Sequence, residues 1–133
     1  MIKLRPFLTI NAILFFPFGL GMLIIPSPIF NMLDVILDND GLLMARMVGS
    51  MLLSFGLICF IARDFERPSV ALEAILLGNL IFHIIDSVLT SKGAITGEMN
   101  NIAYVFSTMH LLVAIGFFYF YLKFKSIRTT SSN

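Results

Sequence analysis

A chain of 133 residues that is 58% hydrophobic and only 13% charged, with a net charge of +1, excludes several classes at once. An ordinary soluble domain carries about a quarter charged residues, and a nucleic-acid-binding domain carries a basic surface. The length allows one domain, and four membrane spans of about 20 residues each leave no room for a soluble catalytic domain beside them.

The first apolar run covers residues 7–25, behind Lys3 and Arg5. It is longer than the apolar region of a secretory signal, and Ile25-Pro26-Ser27-Pro28 offers no small-x-small cleavage site, so it reads as an uncleaved first span. Pro17 is expected to kink it, and Gly19 and Gly21 permit close helix contact. Pro26 and Pro28 then stop the span, with Ser27 placed to cap a new helix. Phe30, Leu33 and Leu37 share one face of that helix and Asn31, Asp34 and Asp38 another. The pattern predicts a short amphipathic helix over 27–37 on the outer surface, ended by Asn39-Asp40-Gly41.

The second span, residues 42–62, places Arg46, Gly49, Ser50 and Leu53 on one strip. Its Cys59 is the chain's one cysteine, which rules out an intrachain disulfide and reads as a small packing residue. The third span, residues 70–90, carries Asn79, His83 and Asp86 at i, i+4 and i+7 inside an otherwise apolar run. Glu73 lies near its inner boundary, where the helix dipole favours a carboxylate. The fourth span, residues 101–122, shows a narrow face of Ala103, Ser107, His110 and Ala114. Its aromatic run 117–121 reads as an interfacial belt ahead of Lys123. Residues 123–133 form a basic, polar tail, with 129–133 expected to be disordered.

Lys3, Arg5, Arg63, Arg67, Lys123, Lys125 and Arg128 fall on one side of this arrangement, against Lys92 and Arg46 on the other. That bias places both termini in the cytoplasm of a multi-pass protein. No Asn-x-Ser/Thr sequon occurs, in keeping with a bacterial inner membrane. The expected fold is an all-α four-helix transmembrane bundle with a short outer amphipathic helix.

Counting 1.5 Å per residue inward, Arg46 and Asp86 lie about 6 Å below the outer boundary, His83, Ser107 and Ser50 deeper, and Asn79, His110 and Ser54 at the midplane. Lipid exposure of such groups is costly, about 2.5–3.5 kcal/mol for Arg or Asp at the centre of a span. The polar faces are therefore expected to turn inward, with Arg46 paired to Asp86. His83, His110 and Asp86 are too few acidic ligands for a bundle metal site, and helix-packing histidines are the preferred reading. No metal or cofactor is assigned.

Ala45-Arg46-Met47-Val48-Gly49, Leu52-Leu53-Ser54-Phe55-Gly56-Leu57 and Ala62-Arg63 form an AR-x-x-G, LL-x-x-GL, AR run. It resembles the run in small bacterial four-span membrane proteins of the DoxX-like group. The resemblance covers mainly the second span, implies a four-helix membrane bundle and brings no catalytic residue.

No motif in the chain names a reaction. The favoured reading is a non-enzymatic membrane protein that binds a partner protein or a lipophilic ligand in an outward-opening pocket. Its floor would be Asn79, His83 and His110, its rim Arg46 and Asp86, and its cover the 29–37 segment. The alternatives are a transporter or proton relay using His83 and Asp86, for which so short a chain would need a homodimer, and an intramembrane lipid enzyme with a His acid/base.

Overall fold

The computed structural model describes residues 3–65 and 67–131. The described residues form five helices: α1 (Leu4–Ile24), α2 (Pro26–Asn31), α3 (Asn39–Ala62), α4 (Val70–Thr96) and α5 (Ile102–Ser131). All except α2 are long and apolar enough to cross a membrane. Large apolar side chains lie exposed all round them, among them Ile13, Met47, Ile85 and Leu112. Water would not tolerate so continuous an apolar surface, and lipid does. The chain is an all-α integral membrane protein with four spans.

Helix ends follow local chemistry. The Asp38 carboxylate accepts from Gly41 N at 2.8 Å and caps α3, so Asn39-Asp40-Gly41 opens that helix rather than ending the previous one. Ser69 Oγ accepts from Leu72 N at 3.1 Å and caps α4. Gly97 closes α4 in the left-handed region at φ 76°, where a Cβ is disfavoured.

Two expected elements differ. α2 starts at Pro26 and is six residues long, not a helix over 27–37. Pro26 itself occupies its first turn, so Ser27 is not the cap. After a turn, Asp34 adopts a left-handed φ of 59° and takes the chain out of helical geometry. The tail also differs, since α5 continues to Ser131 instead of fraying at Thr129; Ser132 and Asn133 lie outside the described residues. Arg128 explains the extension: its Nε and Nη2 both donate to the Glu73 carboxylate on α4, Nη2 at 3.0 Å. Glu73 is thus tied to the tail as well as to its own helix terminus. Loss of this fork in Arg128→Ala should expose the tail, read as faster tryptic cleavage at Lys123 and Lys125 in detergent. Unchanged cleavage would show that the fork does not hold the helix end.

The spans associate as two close pairs, α1 with α3 and α4 with α5. Glycine brings the first pair together: a Cβ on Gly49 would lie 2.8 Å from Gly19 O and 2.7 Å from Leu23 N. Small-residue crossings of this kind let helix backbones touch. In the second pair, Ser87 Oγ donates to Ser107 O at 3.0 Å and Ser107 Oγ to Ser87 O at 2.9 Å. Ala103 and Ala114 are buried along the same face of α5.

The two pairs meet across phenylalanines rather than backbone. Phe7 packs on Phe117 and Phe120, Phe18 on Phe106, and Phe82 on both Phe15 and Phe55. The 117–121 run is accordingly half core: Phe117 and Phe120 are fully buried, while Phe118 and Tyr119 face outward. At the end carrying the termini, Asp64 joins Arg5 at 3.2 Å to Arg63 at 3.5 Å. At the opposite end, Asn100 holds the segment after α2. Its backbone N–H donates to Leu33 O at 3.0 Å and its Nδ2 to Met32 O and Asp34 Oδ2 at 2.9 and 3.0 Å. Its Oδ1 accepts from Ile102 N and caps α5.

Candidate functional site

Bulky side chains between two tightly closed pairs leave a gap, and the gap is a cavity of about 350 Å³. α1 supplies Phe15, Phe18 and Met22 to its wall, and α3 supplies Val48 and Leu52. Ile29, Phe30 and Leu33 cover it at the α2 end. One side is polar: His83, Asp86 and Thr90 of α4 and His110 of α5, with Asn11 on the facing helix. Among the described residues, no Lys or Arg lines it.

The polar side is a chain of three side chains in series. Asp86 Oδ2 lies 2.9 Å from His110 Nε2, and His110 Nδ1 lies 2.8 Å from His83 Nδ1. An ionised carboxylate only accepts, so His110 Nε2 carries the proton on that side. With both imidazoles neutral, His110 Nδ1 is then an acceptor and His83 donates to it from Nδ1. That leaves a bare lone pair on His83 Nε2, which is buried with no hydrogen-bond partner. The ring is stacked at 5.6 Å between Phe15 and Phe117. The chain of hydrogen bonds therefore runs from a partly exposed carboxylate into an apolar dead end. Among the described residues, no three His, Cys, Asp or Glu side chains converge as metal ligands would.

The expected site residues divide between cavity and scaffold. His83, Asp86 and His110 line the cavity together. Asn79 does not: its Nδ2 donates to Ile75 O at 2.9 Å, and its Oδ1 faces the Cys59 thiol of α3 at 3.6 Å. Ser107 belongs to the serine clasp between α4 and α5, which also takes in Ser91. Arg46 is exposed on α3 and makes no ion pair with Asp86, whose partner is His110. The reason is rotational. α3 buries Ala45, Gly49, Leu52, Gly56 and Cys59, and Arg46 stands about 100° off that stripe.

Ser87 and Ser91 were legible in principle, because they continue the Asn79–His83 stripe at four-residue intervals. Asn100, in a polar loop, carried no periodic signal. Neither did the apolar wall, since a lipid-facing phenylalanine and a cavity-facing one look alike in sequence.

No protein-family model, curated protein or solved structure matches this chain.

Proposed function

We propose that this protein binds a lipophilic ligand in the cavity between its two helix pairs, with Asp86 and His110 meeting the ligand's polar end. The observation that carries the reading is the cavity itself: about 350 Å³, walled by aromatic, aliphatic and methionine side chains, with most of its polar groups gathered on α4 and α5. Ligand sites combine these features, an apolar volume with a few convergent polar groups. α2 and the following turn form the cover and are held to the α4–α5 loop by Asn100. The charge bias of the loops supports an orientation with both termini in the cytoplasm and α2 outside, and the proposed location is a bacterial inner membrane.

The series Asp86–His110–His83 also favours a second reading, a proton relay. Against it stands the dead end at His83 Nε2, which no polar group continues toward the other face. A transport role, with or without a second copy of the chain, predicts pH-driven flux in vesicles that His83→Ala abolishes. Ligand binding is tested by native mass spectrometry of the protein released from maltoside micelles. The wild type should retain a lipophilic molecule, and Val113→Phe, which fills part of the cavity wall, should lose it. Equal retention by both proteins would overturn the reading.

A further inference from the structure

Resting on the ligand-binding reading above, we infer that the cavity selects a cationic amphiphile: an alkyl or aryl chain carrying an ammonium group, with Asp86 as its counter-ion. The argument begins with the carboxylate. Asp86 Oδ2 accepts the hydrogen bond from His110 Nε2, while among the described residues no protein donor reaches Oδ1, and the side chain is 37% exposed. A carboxylate has about four lone-pair sites, so most of its accepting capacity is unused. Among the described residues, Asp86 is also the one acidic side chain on the cavity wall, and no Lys or Arg stands beside it. The nearby basic residue that the sequence offers, Arg46, turns away on α3. A negative charge beside an apolar cavity in a membrane is costly until a cation joins it.

The rest of the wall fits the same head group. Phe82 stands one turn from Asp86 on α4, and Phe106 one turn from His110 on α5. Phe15, Phe18 and Phe30 close in from α1 and α2. Aromatic faces attract an ammonium, most strongly where water is excluded. A fatty acid or other anionic lipid would meet Asp86 as a like charge and, among the described residues, find no Lys or Arg in the cavity. An uncharged alcohol could donate to Asp86 Oδ1 but would leave the charge uncompensated.

The test compares three probes with one tail: decyltrimethylammonium, decanol and decanoate, titrated onto the purified protein in maltoside and followed by native mass spectrometry. The expected order is ammonium first, by about tenfold or more over decanol, with decanoate weakest. Asp86→Asn keeps an acceptor for His110 Nε2 and removes the charge. It should abolish the preference for ammonium, so that ammonium and decanol bind the variant alike to within about twofold. Should that variant not fold, the order of the three probes on the wild type still decides. Equal binding of ammonium and decanol would overturn the cationic assignment and leave the ligand-binding reading standing. Binding of none of the three, together with no effect of Val113→Phe, would overturn both.

Discussion

Gly49→Ala is expected to destabilise the protein by about 1–3 kcal/mol, the usual cost of forcing extra volume into a close-packed contact. The atoms that a Cβ would meet are backbone, Leu23 N at 2.7 Å and Gly19 O at 2.8 Å, so no side chain can swing aside. α1 and α3 would have to separate, and the serine-clasped pair opposite would not compensate. Gly78→Ala is the matched control. It lies on α4 with nothing within 4 Å of its Cβ position, and there the better helix propensity of alanine should add about 0.5–1 kcal/mol. Unfolding in detergent, followed by circular dichroism, should therefore move in opposite directions for two identical substitutions. Equal shifts would mean that the α1–α3 contact is looser than the backbone distances require.

The contrast between these two glycines also marks how far sequence could reach. Span number and approximate placement followed from apolar length, because only a helix satisfies its own backbone in lipid. The polar stripe on α4 followed from spacing, because a helix puts i, i+4 and i+7 on one side. Which neighbour each face meets did not follow. The strip with Gly49 could have turned toward α4, bringing Arg46 to Asp86; the fit of Gly19 against Gly49 turned it toward α1 instead. That single rotation decided that His110, not Arg46, would partner Asp86.

Helix ends were less legible than helix bodies, for a related reason. Asn39-Asp40-Gly41 reads equally well as a turn that ends a helix or as the first turn after a cap, and only the bond from Gly41 N to Asp38 separates the two. The tail looked polar enough to fray. Its order depends on Glu73, which lies 55 residues away in sequence and became a partner only once α4 and α5 were antiparallel. The cavity is further still from sequence, since it is the volume that five phenylalanines and two close crossings leave over.

Asp86 and His110 should be thermodynamically coupled, and Asp86 and Arg46 should not. Asp86→Leu alone strands the Nε2–H of His110, and His110→Leu alone strands a carboxylate inside the bundle, so each single change removes one partner and leaves the other unpaired. Both together remove the mismatch. The expected coupling is about 1–2 kcal/mol, below the full value for a charged hydrogen bond because Asp86 is partly exposed. His110→Leu also breaks the contact to His83, so the cycle should be repeated in a His83→Phe background, where an aromatic ring keeps its place between Phe15 and Phe117. Coupling that survives there belongs to Asp86 and His110 themselves. The companion cycle with Arg46→Leu should be additive within about 0.5 kcal/mol, as for residues that share no partner. Strong coupling of Asp86 to Arg46 with none to His110 would mean that α3 is rotated in the membrane, and the carboxylate would then have a resident cation of its own.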